Sequence, residues 1–104
     1  MRMLLKAVID TEAGNEAFRR GEVLDALNQI EEILQPEAFY GVMEDGHRAF
    51  LAVIDLANPS QIPVVLEPLY QLAKAKITVS PCMTLEDVKK GVEEASRRMQ
   101  DMQG

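Results

Sequence analysis

The residues of this chain that could carry acid-base chemistry are few and far apart. His47 is the only histidine, and it follows directly after the pair Asp45-Gly46. A neutral imidazole near pH 7 is the usual general base. However, Asp-Gly is typical of a two-residue hairpin turn, and a side chain at the rim of such a turn is mostly solvated. We therefore interpret His47 as a residue that flanks a turn, and we predict no catalytic residue.

Lys6 is the first of two residues that we predict to bind a ligand. It lies in an aliphatic segment, where it shares one face of the predicted strand with Leu4 and Val8. If that face is covered, the ammonium must be paired or line a cavity, because an isolated buried charge is costly. We expect its partner to be Asp55 or Glu37 on a neighbouring strand. The alternative is an ion-paired lysine that binds no ligand.

Tyr40 is the second predicted ligand-binding residue. Its side chain alternates with those of Phe39 and Met43, so these lie on the opposite face of the same strand. On its own face the hydroxyl of Tyr40 could reach into a pocket. The alternative is a tyrosine whose ring belongs to the core and whose hydroxyl touches water.

Cys82 is the only cysteine, which excludes an intramolecular disulfide and cannot by itself make a zinc site. A helix that begins near Thr84 would favour its thiolate, but we interpret Cys82 as a buried and unreactive thiol. The lack of disulfides suits a reducing compartment such as the bacterial cytoplasm, which is the predicted location.

The charge balance argues against nucleic acid as a partner. The chain has 17 acidic and 11 basic residues, a net charge of -6, and only three Phe and two Tyr for base stacking. No apolar run approaches the roughly 18 residues needed to cross a bilayer, so no membrane partner is expected. We find no phosphate loop, metal cluster or dinucleotide fingerprint, and we predict neither a metal site nor a cofactor.

Hydrophobic periodicity predicts the strands and helices that position these residues. Met3–Asp10 is short and aliphatic, as is typical of a strand. After a short helical or irregular lead-in, a helix follows because apolar residues recur at spacings of four, three and four: Val23, Leu27, Ile30 and Leu34. Pro36 ends this helix. Residues 37–56 then predict two strands joined by a type I′ hairpin at Asp45-Gly46.

The second half of the chain adds two helices and one strand. Asn58 is a good N-cap with Pro59 at the first helical position, although two internal prolines predict a kinked or late-starting helix. Residues 75–82 alternate as a half-exposed or edge strand. Thr84 and Asp87 have capping-box spacing for a last helix. The predicted order, β-α-β-β-α-β followed by a helix, is that of the ferredoxin-like fold.

This order predicts one α+β domain over residues 1–104 with a four-stranded antiparallel sheet. The connecting helices should cover one face of the sheet and leave the other bare. The bare face would carry apolar side chains, either Leu51 and Val53 or the opposite set on the same strand. Because bare apolar area marks an association site, we predict that two copies pack sheet to sheet and form a dimeric α/β barrel.

The last helix is a second indication of assembly. Its apolar residues recur at spacings of three and four, as in a coiled-coil seam: Leu85, Val88, Val92, Ala95, Met99 and Met102. The seam packs either on its own domain or on a partner, and the sequence leaves both open. The charged residues beside it should form i,i+4 pairs such as Glu93 with Arg97.

The whole chain resembles the dimeric α/β-barrel superfamily, which includes muconolactone isomerase-like proteins and small cofactor-free monooxygenases. Three segments also resemble a group of small bacterial proteins: KAVIDTEAGNEAFRRGEV, DLANPSQIPVVLEPLY and PCMTLEDVKKG. The resemblance implies a cleft between sheet and helices. It brings no catalytic motif, and the Trp/His/Asn sets of the monooxygenases have no counterpart in this sequence.

The leading functional hypothesis is a cytoplasmic homodimer, or higher homo-oligomer, that binds a small organic molecule. One alternative is a cofactor-independent isomerase or monooxygenase in which Lys6 and Tyr40 polarise the substrate. A second alternative is a structural module that only self-associates. Whether the chain is an enzyme stays open at this point.

Overall fold

Four short strands form one antiparallel sheet, and helices connect and follow them. The computed structural model describes residues 1–104. Its elements, in chain order, are β1 (Arg2–Val8), α1 (Thr11–Arg20), α2 (Val23–Leu34), β2 (Ala38–Glu44), β3 (His47–Asp55), α3 (Gln61–Ala73), β4 (Lys76–Pro81) and α4 (Leu85–Gln103). The strand order is β2-β3-β1-β4, and all neighbours are antiparallel. This confirms the predicted α+β, ferredoxin-like fold.

The hairpin between β2 and β3 is the one that the sequence predicts. Asp45 and Gly46 both have positive φ, at 50° and 80°. A type I′ turn needs positive φ at both central residues, and its twist matches that of the flanking strands. The turn fixes the pairing of Glu44 with His47 and hence the register of the whole hairpin.

The lead-in before α2, whose structure the sequence left open, is a regular ten-residue helix. The Asp10 carboxylate caps it by accepting a hydrogen bond of 2.9 Å from the Ala13 N–H. Gly21 ends it in the left-handed conformation, at φ 68°, which glycine adopts without steric cost. Two residues therefore separate the helices, and both lie on the same side of the sheet.

The predicted start of α3 is two residues too early. Asn58 is not its N-cap, because the helix begins at Gln61 and Ser60 occupies the cap. The Asn58 Oδ1 atom instead accepts a hydrogen bond of 3.1 Å from the Ser60 N–H. Asparagine side chains often stabilise such local turns in competition with helix. The expectation of a late-starting helix is confirmed.

The core lies between the sheet and the helices α2 and α3. Leu5 pairs with Ala52 and Ala7 with Phe50, so the apolar positions of the two central strands share this face. Leu5, Ile54 and Leu69 are its largest fully buried side chains. β4 is an edge strand whose Ile77 and Val79 point to the same core, and the prediction of a half-exposed strand is confirmed.

The last helix, α4, extends away from the domain. None of its residues is buried, and the molecule measures 65 × 29 × 19 Å. Its radius of gyration is 17.8 Å, against about 13 Å for a compact chain of this length. The predicted capping box between Thr84 and Asp87 is present. Of the two alternatives for the seam, packing on its own domain is wrong.

The charged side chains of α4 pair differently from the prediction. Glu94, rather than Glu93, holds both Arg97 and Arg98. The two pairs have spacings of three and four residues, which both bring side chains together on a helix surface.

Candidate functional site

An apolar cavity of about 330 Å³ opens between the helices α1 and α2 and the β2–β3 half of the sheet. Thirteen of its sixteen lining residues are hydrophobic. Its volume lies at the lower end of the range of small-molecule sites, which are concave and mostly apolar. The position agrees with the cleft between sheet and helices that the superfamily resemblance implies.

Two stacked aromatic rings and a glycine form the floor of the cavity. The ring centroids of Phe39 and Phe50 are 4.8 Å apart, with an angle of 25° between the planes. Gly41 pairs with Phe50 across the strands. A β-carbon built on Gly41 would meet no atom within 4 Å. The floor is therefore flat and aromatic, and the space above Gly41 is empty because that position has no side chain.

Small side chains on the two helices leave the cavity unfilled from above. Ala13 and Ala17 line it from α1, and Ala26 lines it from α2. Larger apolar residues stand at its mouth, where Phe18 is 60% exposed and Leu27 is 42% exposed. Exposed aromatic and aliphatic side chains around a concave space gain free energy when a ligand covers them.

Arg48 is the only charged residue that lines the cavity. Its guanidinium lies 5.0 Å from the ring centroid of Phe18, a distance typical of cation–π contacts. Its Nη2 atom donates a hydrogen bond of 3.1 Å to the Asn15 Oδ1 atom. Arg48 belongs to none of the seven ion pairs of the structure.

A glycine on α1 makes room for this guanidinium. Gly14 is buried inside the helix, where glycine lowers helix stability relative to alanine. A β-carbon at Gly14 would lie 2.5 Å from the Arg48 Nη1 atom. The guanidinium therefore sits directly against the backbone of α1, and any side chain at position 14 would displace it.

Lys6 lies on the open face, defined as the side of the sheet that no helix of the same chain covers. Alternate residues of the four strands form this face: Arg2, Leu4, Lys6, Val8, Ala38, Tyr40, Val42, Glu44, Ala49, Leu51, Val53, Asp55, Lys76, Thr78 and Ser80. The Nζ atom of Lys6 donates a hydrogen bond of 3.0 Å to Glu44. Lys6 does not line the cavity.

The partner that we predicted for Lys6 is wrong. Glu37 accepts a hydrogen bond from Arg2 instead, and Asp55 pairs with the N-terminal amine of Met1. The register explains this, because Asp55 lies opposite Arg2, about 13 Å along the strand from Lys6. Only the strand register, which the sequence does not reveal, shows that Glu44 can reach the ammonium.

Tyr40 lies on the open face in the same row as Lys6, with Leu51 between them. The two backbones are therefore two strands, or roughly 10 Å, apart. Tyr40 is 64% exposed and does not line the cavity. Ligand binding by these two residues stays a prediction, and it would require a site on the open face.

His47 and Cys82 lie outside the cavity as well. His47 is exposed beside the hairpin, and its Nδ1 atom is 3.0 Å from the Thr11 hydroxyl. Cys82 is half-buried rather than buried, and its backbone N–H donates to the Arg2 carbonyl at 3.2 Å. Neither residue contacts a second group suited to acid-base or thiol chemistry.

The groups with shifted pKa values are structural. Glu37 beside the Arg2 guanidinium raises the pKa of that arginine. Hydrogen bonds from Arg19 and Arg20 lower the pKa of the Glu16 carboxyl. All of these groups are exposed and lie outside the cavity, so they give no indication of a catalytic acid or base.

The structure contains no group of three or more His, Cys, Asp or Glu side chains that could hold a metal ion. No helix combines the length and the apolar character that crossing a bilayer requires.

The residues that shape the cavity were not predicted from the sequence. Arg48 is in phase with the apolar positions Phe50, Ala52 and Ile54 of the same strand. That phase places a charged side chain on the face that the helices cover, and it was an available indication. The spacing of Gly14 and Gly41 gives no comparable indication, because their partners come from other elements.

Comparisons with known proteins identify no family for this chain. No protein-family profile matches it, and no curated protein matches it. Among solved structures, it is similar to the de novo designed protein Ferredog-Diesel, with 9% sequence identity and a TM-score of 0.44 over 78% of this chain and 85% of that one. The ferredoxin-like assignment rests on the strand order described above, and membership in the dimeric α/β-barrel superfamily stays a prediction.

Proposed function

We propose that this protein binds a small, largely apolar organic molecule in the cavity between the helices and the sheet. The observation that carries the proposal is the cavity itself, with its aromatic floor and apolar walls in a chain that otherwise packs its core. An open cleft of this kind leaves aromatic and aliphatic surface in contact with water, and a ligand that covers this surface gains free energy.

The walls of the cavity favour a flat ligand. Phe39 and Phe50 offer a nearly planar surface, and Phe39 remains 38% exposed. An aromatic or extended aliphatic body inserted above Gly41 would cover both rings. Burial of apolar area contributes about 25 cal/mol per Å² before the costs of binding are subtracted.

A fluorescent probe tests this proposal. Phenylnaphthylamine is uncharged, aromatic and brighter in apolar surroundings, so we expect saturable binding by the unmodified protein. Gly41→Val places a side chain in the empty space, where a β-carbon would meet no atom within 4 Å, and we expect it to weaken binding about tenfold or more. Gly91→Ala is the matched control, because Gly91 lies on α4 and a β-carbon there would also meet no atom within 4 Å.

Two results would contradict the proposal. One is the absence of saturable binding to the unmodified protein. The other is equal affinity in the unmodified protein and Gly41→Val, since the probe would then bind outside the cavity.

We also propose that the chain is a homodimer in which a second copy covers the open face. Leu4 is 37% exposed there, and Leu51 and Val53 are only half-buried. The Lys6–Glu44 ion pair neutralises the two charges nearest the centre of the face. Two copies would therefore meet through matching apolar rows without repelling each other.

The area of the interface requires more than the sheet. Four strands of about seven residues cover on the order of 450 Å², roughly half of the 800 Å² that each partner contributes to a stable interface. The exposed seam of α4, about 28 Å long, supplies further apolar area. Helices in proteins owe most of their stability to packing of an apolar face, and α4 has no buried residue, so contact with the second copy would also stabilise α4.

Sedimentation equilibrium tests the dimer. Leu51→Glu places a charge in the middle of the open face, and we expect it to raise the dimer dissociation constant about 100-fold or more. Leu24→Glu is the control, since Leu24 is 74% exposed on α2 and lies away from the open face. A monomeric unmodified protein at micromolar concentration would contradict the dimer.

A further inference from the structure

We infer that the cavity selects ligands that carry one anionic group, such as a carboxylate, and that Arg48 binds this group. The inference rests on the proposed function, because it names the chemical class of molecule that the same cavity takes. It implies a ligand with an apolar body over the aromatic floor and a single acidic head at the mouth.

The positive charge of Arg48 is uncompensated within the chain. No carboxylate lies within ion-pair distance of Arg48, and three on neighbouring elements have other partners. Asp10 caps the Ala13 N–H, Glu16 holds two arginines of α1, and Glu44 pairs with Lys6. In a chain of net charge -6, an arginine without a carboxylate beside an apolar cavity is unusual, and guanidinium groups retain their charge at every physiological pH.

The guanidinium is held in place but keeps free donors. It lies over the Phe18 ring, against the Gly14 backbone, and donates to the Asn15 amide oxygen. A guanidinium has five N–H donors in a planar fork, and Asn15 accepts from only one nitrogen. The remaining donors can form the paired hydrogen bonds that carboxylates accept, at little further cost in side-chain entropy.

The composition of the site favours a single acidic group over a phosphate-rich ligand. Arg48 is the only charged residue among the lining residues. Multiply charged phosphates usually meet several cations or a series of backbone N–H groups. One arginine at the edge of an apolar cavity instead matches an amphipathic monoanion, whose apolar part the rest of the cavity covers.

Two probes with the same ring system test the inference. Anilinonaphthalene sulfonate carries one negative charge, and phenylnaphthylamine is the same skeleton without the sulfonate. We expect the unmodified protein to bind the sulfonate more tightly. Arg48→Met should weaken sulfonate binding about tenfold and change the affinity for the neutral probe by less than about twofold. Naphthoate should displace the sulfonate from the unmodified protein, and its affinity should fall in Arg48→Met together with that of the sulfonate.

Three further variants keep this result interpretable. Gly14→Ala retains the arginine but displaces its guanidinium, so we expect a partial loss for the sulfonate only. Arg48→Lys keeps the charge without the planar fork and should bind the sulfonate with intermediate affinity. Arg98→Met is the control for net charge, because Arg98 lies on α4 and Glu94 keeps Arg97 as a partner.

The outcomes separate the two proposals. If Arg48→Met weakens both probes equally, or neither, the anion selectivity is overturned while the cavity proposal stands. If the unmodified protein binds the neutral probe no better than Gly41→Val does, the cavity proposal fails. A sulfonate preference that Arg98→Met abolishes as fully as Arg48→Met would mean that overall charge, rather than Arg48, determines selectivity, and it would overturn the inference.

Discussion

The two faces of the sheet are built from the same strands but are covered in different ways. On the helix side, Leu5, Ala52 and Ile54 are at most 1% exposed. On the open face, their neighbours Leu4, Leu51 and Val53 remain partly accessible. The difference shows that the helices α1 to α3 complete one side of the domain except at the cavity. The other side lacks a cover within the chain.

The cavity on the helix side and the open face differ in shape and charge, so they suit different kinds of binding partner. The helix side is missing a volume of about 330 Å³ beside one unpaired guanidinium, which suits a small amphipathic anion. The open face is wide, the charges of Lys6 and Glu44 near its centre are paired with each other, and it suits another flat protein surface. We therefore propose a small molecule for the first and a second copy of the chain for the second.

The largest expected change is in the free energy of unfolding, and it separates the adjacent residues Leu4 and Leu5. Leu5→Ala removes a fully buried side chain, and we expect it to lower the free energy of unfolding by about 2–5 kcal/mol. Leu4→Ala should cost less than half as much in dilute samples but should weaken dimerisation. Urea denaturation at two protein concentrations measures both effects. Equal costs for the two variants at low concentration would remove the distinction between the faces.

The next largest expected change is in the stability and probe affinity of the cavity-filling variant Gly41→Val. Glycine inside a strand costs about 0.5–1 kcal/mol relative to residues with a side chain, and Gly41 has open space above it. We expect Gly41→Val to raise the free energy of unfolding by about that amount while it reduces probe binding. Thermal denaturation and the probe titration measure the two changes. A destabilised variant would mean that the cavity is already filled by local rearrangement.

Substitution of Lys6 and Tyr40 on the open face should change probe affinity and stability by smaller amounts. Lys6→Met combined with Tyr40→Phe should change the affinity for the neutral probe by less than about twofold, because neither residue lines the cavity. Loss of the partly exposed Lys6–Glu44 pair should cost at most about 1 kcal/mol of stability. A large loss of probe affinity with an unchanged dimer would instead place the ligand on the open face and revive the hypothesis of an enzyme that uses these two residues.

The smallest expected effect is a pH dependence of α4, which contacts neither the cavity nor the core. Hydrogen bonds from Thr84 hold the pKa of Asp87 below its usual value of 3.8. Since the folded pKa is the lower one, the stabilisation is present above pH 3.8 and is lost as the pH falls through the depressed value. We expect a small loss of helical circular dichroism below that pH, and Asp87→Asn should not show it.

Much of the fold could be predicted from the sequence because local chemistry specifies it. Asp45-Gly46 determines the hairpin, the capping box specifies the start of α4, and the apolar periodicity gives the element order. The start of α3 could not be predicted in the same way, since Asn58 stabilises a turn as readily as a helix.

The site could be predicted only as a general cleft. Its details depend on contacts between elements that are distant in sequence, such as Gly14 with Arg48 and Phe39 with Phe50. Lys6 and Tyr40 are polar side chains on apolar strands, and this pattern predicted them as ligand residues. Arg48 shows the same pattern, but on the side of the strand that faces the helices.

Methyl NMR spectra recorded in two titrations test the central claim most directly. The claim is that the cavity and the open face have separate occupants. Addition of phenylnaphthylamine at constant protein concentration should shift the methyl signals of Ala17, Ala26 and Leu27, which line the cavity. Dilution without the probe should shift those of Leu4 and Leu51. If the probe shifts the open-face methyls first, or if dilution changes neither set, the assignment of the two faces is contradicted.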